Sequence, residues 1–222
     1  MESFDEIYAR AVENKGGVDA LEEILPIAKS AQELAKAPND RFLSEMTKCI
    51  FRAGFVWKIV ENKWSDFERV FKQFNPRANA AMSDEFLEQL ASDASIIRNY
   101  RKIESVRDNA LFVLEIADEF GSFGNFIGQW PEDDLVGLFA LLKKRGTRLG
   151  GHTGQYFLRF VGKDTFMFSK DVVKVLVSQG AATKEPTSQK DLQSVQQLFN
   201  HWQEETGRPF CQISRIMAAS VP

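Results

Sequence analysis

The apolar residues of this 222-residue chain recur at intervals of three and four along most of its length, and nowhere as an alternating pair of strand-like runs. That spacing draws a stripe along one face of a helix, whereas a half-buried strand needs a period of two. The expected class is all-α, without an internal repeat. Helices are predicted where the pattern runs and breaks where glycine, proline or a short polar residue stops it. The predicted spans are 3–14, 18–36, a long helix capped by Asn39 or Asp40 and running to about Glu61, 64–74, one opening at Ser83, 98–119, 134–145, 155–161, 169–179, 190–205 and 211–219. Gly121–Gly128 is the longest stretch with weak signal. An apolar fraction of 44% leaves enough material for a core that needs neither disulfide nor metal.

Two cysteines, Cys49 and Cys211, are too few for a disulfide scaffold or a zinc site, and read as reduced thiols of an intracellular protein. The first ten residues carry Glu2, Asp5 and Glu6 and no apolar run, so no signal peptide is expected. No stretch approaches the roughly 18–20 consecutive apolar residues of a membrane helix, so no membrane partner is expected. The expected location is the cytoplasm, on the nucleoid in a bacterium. The net charge of −3 hides an asymmetry. Residues 1–47 hold ten acids against five bases, and residues 141–174 hold eight bases against two acids. A local basic surface is the footprint of a polyanion, or else a solvated helix face.

The basic stretch contains the most informative segment, from Leu142 to Phe157. A helix ends in Lys143, Lys144 and Arg145, the chain turns at Gly146, Gly150, Gly151 and Gly154, and a second helix begins. The first turn of a helix leaves amide groups unpaired, and with the helix dipole these hold a phosphate. Lys144, Arg145 and Arg148 would add charge, and His152 and Thr153 polar contacts. Such a bend grips a nucleic-acid backbone without reading sequence. The plain alternative is a helix–turn–helix corner with a glycine cap.

Leu142, Lys144, Arg145, Gly146, Gly151, Thr153 and Tyr156 resemble the helix–hairpin–helix of the DNA-3-methyladenine glycosylase I family, within the helix–hairpin–helix glycosylase superfamily. Upstream, Ala53-Gly54-Phe55-Val56-Trp57 resembles that family's Ala-Gly-Leu-Ser-Trp. Further matches follow in order at Phe71–Pro76, Ala80–Met82, Ile96–Arg98, Lys102-Ile103 and Asn109-Ala110. The resemblance covers roughly 43–177. It implies one glycosylase-like domain over 1–222 with two lobes, one of about 1–48 plus 178–222 and the other of about 49–177. It implies a monomer acting on double-stranded DNA that carries a damaged base. The implied reaction is base flipping followed by hydrolysis of the N-glycosidic bond of an alkylated purine, 3-methyladenine first, with water as nucleophile and no cofactor.

Residue by residue, the resemblance makes Trp57 the pocket tryptophan, with Tyr156 and Phe51 as further wall. Phe55 becomes the wedge that fills the emptied stack, and Arg98 and Lys102 become part of the family core, holding structure or touching DNA. Asp171 matches the aspartate that follows the hairpin in the wider superfamily, although it also suits a first helical turn. Gln155 stands near the position where bifunctional members carry a lysine, which disfavours Schiff-base chemistry. Two departures stand out. The family's zinc ligands have no counterparts, so no metal is expected. The family's pocket glutamate is replaced by Cys49, and Glu45, one turn earlier, either reaches the pocket instead or lies at the surface. A non-catalytic damaged-DNA-binding module and a glycosylase of altered base choice are the alternatives.

Overall fold

Helix is the only regular element among residues 2–222, which the computed structural model describes. In chain order the helices are α1 (Phe4–Lys15), α2 (Val18–Glu23), α3 (Ala31–Lys36), α4 (Asn39–Arg52), α5 (Trp57–Asn62), α6 (Trp64–Val70), α7 (Pro76–Ala80), α8 (Asp84–Ser92), α9 (Tyr100–Phe120), α10 (Phe123–Gln129), α11 (Leu135–Arg145), α12 (His152–Val161), α13 (Lys170–Ser178), α14 (Gln189–Thr206) and α15 (Phe210–Ala219). No helix among the described residues is long and apolar enough to cross a membrane.

The chain divides into two units. The first joins the segment ending at Lys29 with Pro131–Leu138 and Gly162–Pro222. Its α1 opens on a capping box, in which Ser3 Oγ accepts the Glu6 amide while the Glu6 carboxylate accepts the Ser3 amide. One face of α1 packs on α15, and α13 packs on the same helix. The core is aromatic: Phe166 stacks on Phe199 at 4.4 Å, and Phe4 meets Trp202 at 5.6 Å. Asp164 caps α15 by accepting the Phe210 and Cys211 amides at 3.0 and 2.8 Å.

The second unit comprises Ser30–Trp130 and Phe139–Val161. Helix α9 is its axis, with α4, α7, α8 and α10 packed around it. These boundaries differ from the expected lobes. Residues 30–48 belong with the middle helices, because α3 packs on α10 and α4 packs on α9 and α12. Residues 162–177 belong with the terminal helices, because α13 packs on α15.

Several predicted elements change, among them the helix expected over 64–74, which ends at Val70. The helix expected over 18–36 is two short ones, since Pro26 interrupts it and Ser30 starts α3 with a second capping box. The weak stretch 121–128 contains α10, and its glycines are there for contact: a Cβ on Gly124 would lie 2.2 Å from the Leu34 carbonyl oxygen. The helix expected to run to Glu61 stops at Arg52, and Trp57 starts a new one. Gly54 sits at φ +72° in the break, a conformation that side-chain-bearing residues rarely adopt. Asn39 is the first residue of α4 rather than its cap, and its side chain accepts the Phe123 amide at 3.0 Å.

Candidate base pocket and hairpin

Beside the break between α4 and α5 lies a hollow of the second unit, a pocket of about 330 Å³. Its walls are Cys49, Arg52, Ala53 and Gly54 from the end of α4 and the bend, Trp57 from the start of α5, and His152, Thr153, Tyr156 and Phe160 from α12. Trp57 is 42% exposed and stands edge-on to Tyr156 and Phe160, with ring centroids 5.3 and 6.0 Å apart. Tyr156 and Phe160 are four residues apart on one helix and stack on each other at 5.7 Å.

Arg52 lies across this aromatic corner, its guanidinium carbon 5.0 Å from the Trp57 ring and 4.9 Å from the Phe160 ring. Nε and Nη2 donate to Glu61 Oε1, and Nη1 donates to Glu45 Oε1 at 3.5 Å. Lys48 pairs with the other Glu61 oxygen at 2.8 Å. Partial burial pushes the Glu61 carboxyl up, but its bonds from Lys48 and Arg52 outweigh that and hold it below the usual range. Cys49 is buried and its thiol donates toward Glu45 Oε1 at 3.6 Å. Burial, reinforced by the nearby Glu45 charge, pushes that thiol upward, so it stays protonated.

The structure therefore brings Cys49, Trp57 and Tyr156 together, and adds Arg52 and Phe160. Glu45 does not line the pocket; it touches two residues that do. Phe51 is not a wall. It points from the other side of α4 into the core, fully buried against Phe67 at 4.6 Å. Asp171 lies in the first turn of α13, in the other unit, and pairs with Lys174 at 2.9 Å; Ser169 makes the actual cap.

The hairpin joins the last turns of α11 to α12, and residues 139–161 lie in the second unit. Gly151 is exposed at φ +57°, and a Cβ there would meet nothing within 4 Å, so it serves the backbone bend. Lys144, Arg148 and His152 are also exposed, and Thr153 is half-buried. Gly154 is buried beneath the bend, where a Cβ would lie 2.4 Å from the Leu149 oxygen, so it is a packing residue. Arg145 turns back onto α9, bonding Glu119 at 2.6 and 3.0 Å and Glu115 at 3.3 Å, over the Phe112 ring. Those bonds explain it as a structural residue. Asn109 fixes the hairpin to α9 by accepting the Thr147 amide at 2.9 Å and donating to its carbonyl at 3.0 Å.

Phe55 is 43% exposed at the bend. Below it Lys102 is buried, its ammonium donating to the Ala53 carbonyl at 2.7 Å and the Phe51 carbonyl at 3.3 Å. Burial, then the Arg148 charge, hold its pKa below the usual lysine range. Lys102 thus ties off the end of α4 and supports the bend instead of reaching out to DNA. Arg98 is exposed.

Comparison with known proteins accords with this geometry. Residues 36–137 match the family model described as methyladenine glycosylase. DNA-3-methyladenine glycosylase 1 of Escherichia coli K12 is 36% identical over 76 residues, which are 34% of this chain. This chain resembles the DNA-3-methyladenine glycosylase I family over that matched segment. It spans 41% of the length of that curated relative. The 3-methyladenine DNA glycosylase I of Staphylococcus aureus shares the fold at 22% identity and a TM-score of 0.51, covering 56% of this chain and 77% of its own. The Methanocaldococcus jannaschii 8-oxoguanine glycosylase/lyase, solved with DNA, is similar in fold over 96% of this chain and 95% of its own, at 14% identity and a TM-score of 0.56.

The zinc site of this glycosylase family does not fit the residues present. Cys49 and Cys211 are each buried, and no group of three or more His, Cys, Asp or Glu side chains among the described residues is arranged to hold a metal.

Arg52 and Phe160 are the site residues that sequence reading missed. Phe160 carried a signal, its i, i+4 relation to Tyr156. Arg52 carried none, because the rings it crosses come from α5 and from a helix more than a hundred residues away.

Proposed function

We propose that this chain is a monofunctional DNA glycosylase that draws an alkylated purine out of double-stranded DNA and hydrolyses its N-glycosidic bond. One observation carries the reading: a single helix serves both the bend and the pocket. Helix α12 starts at the bend with exposed Gly151 and His152, and one turn on it carries Tyr156, then Phe160, into the aromatic wall with Trp57. At 1.5 Å per residue the step from His152 to Tyr156 is about 6 Å. A strand held by the first amides of α12 would offer its own extruded nucleotide to that wall. Phe55, exposed at the neighbouring bend, would fill the gap in the stack.

The lining includes no carboxylate and no lysine. Cleavage would rely on desolvation, ring stacking and the base as leaving group, with water adding to the sugar. It would not pass through a Schiff base. 3-Methyladenine is the reference substrate, since the relatives' names carry it.

The test is base release. Duplexes carrying alkylated purines should lose free base and keep unbroken abasic sites, and Trp57→Ala should reduce turnover far more than duplex affinity. Salt-dependent duplex binding with no release at high enzyme concentration would replace the enzyme with a non-catalytic binder of damaged DNA. The thiol of Cys49, standing where the family has a carboxylate, favours that second reading.

A further inference from the structure

We infer that Arg52 sets the charge class of the base this pocket accepts, favouring an uncharged purine with acceptor atoms on its edge over a cationic one. The inference rests on the glycosylase reading of the same pocket.

Arg52 is the permanent cation of the lining, with 14% of its side chain exposed. Its three bonds to Glu61 and Glu45 use three of the five guanidinium N–H groups, leaving two donors in a planar fork. Neither carboxylate is itself part of the lining, and Cys49 is an uncharged thiol. An entering base therefore meets the guanidinium before either carboxylate. The face that Trp57 would offer to a cationic base already carries a cation at 5.0 Å.

The reaction carries this difference into the transition state. When the C1′–N bond breaks, its electron pair goes to the purine, and water bonds C1′. An uncharged purine leaves with developing negative charge and takes up the proton that water gives up. A cationic purine is still partly positive at the same point and ends neutral, with the proton passing to solvent. A fixed donor cation stabilises the first transition state and opposes the second.

The experiment measures kcat/KM for base release from two duplex sets, with and without Arg52. One set carries cationic bases produced by methylating DNA at purine ring nitrogens. The other carries hypoxanthine or 1,N6-ethenoadenine, both uncharged. Intrinsic leaving-group reactivity cancels when each substrate is compared between wild type and variant. Arg52→Met should lower kcat/KM at least tenfold more for the uncharged set than for the cationic set. Arg52→Lys, which keeps the charge and loses the fork, should fall between them, and it supplies the comparison if the methionine variant does not fold. Equal losses on both sets, a loss confined to the cationic set, or a wild-type enzyme that releases only cationic bases would overturn the inference and leave the glycosylase reading standing. Absence of release from every duplex would remove both.

Discussion

Lys102 offers the sharpest test of how the pocket is built, because a contact to DNA and a structural tie predict different measurements. The residue is 8% exposed, and its ammonium bonds the Ala53 and Phe51 carbonyls at the end of α4. Lys102→Met keeps the apolar stem and removes both bonds. A hydrogen bond to a charged group contributes about 1.5–3 kcal/mol, and a buried carbonyl left without a partner costs about 1–3 kcal/mol. The Phe51 carbonyl belongs to a buried residue, whereas Ala53 is exposed, so water replaces the second bond more readily than the first. The variant also relieves the cost of burying an ammonium, the same cost that depresses its pKa. The net loss is about 1–2 kcal/mol, which for a chain of this size lowers Tm by about 2–8 °C. Calorimetry supplies the measurement, with duplex affinity recorded over a range of salt. The depressed pKa adds a signature: the unfolded chain binds the extra proton, so this lysine's contribution to stability rises with pH between its native and unfolded values. The variant lacks that rise. An unchanged Tm with a salt dependence shallower by about one phosphate contact would refute the structural assignment and make Lys102 a DNA contact.

Three further outcomes follow from the packing. Asn109→Ala removes both bonds to Thr147 from a buried position and should cost about 2–4 kcal/mol in urea unfolding, with hydrogen exchange accelerated at the hairpin. Gly124→Ala drives a methyl group onto the Leu34 carbonyl and should destabilise by at least about 2 kcal/mol, whereas Gly151→Ala, strained only in φ and open to solvent, should cost less. Glu22 is held below the usual carboxylate range by its hydrogen bonds from Arg208 and then Tyr8, against partial burial. Its contribution is therefore complete above the unfolded pKa and is lost as the pH falls through the native one, so Arg208→Gln should flatten the acid limb of the stability profile.

The helical class and most helix positions were legible because amphipathic spacing is a local property. The misses share a physical cause. The apolar pattern runs straight through residues 53–56, and only the positive φ of Gly54 with the tie from Lys102 shows that the helix stops there. Gly124 and Gly128 look like weak helix formers, yet each lies against the backbone of α3, an interaction between distant segments. Trp57, Tyr156 and Cys49 could be named from motifs. Phe51 could not be told from a wall residue, because facing the core or the pocket depends on where α4 ends and what packs behind it. Arg145 read as a phosphate contact until its glutamate partners on α9 were located.

The use of one helix for both the bend and the aromatic wall has an evolutionary corollary. Between Thr153 and Tyr156 the number of residues is as constrained as the glycine at 154, which packs on the Leu149 carbonyl. Each added residue would rotate the phenol about 100° around the helix axis and carry it about 1.5 Å further along. Drift in this segment should therefore proceed by replacement at positions other than Gly154, and insertions or deletions should collect in the loops outside α12.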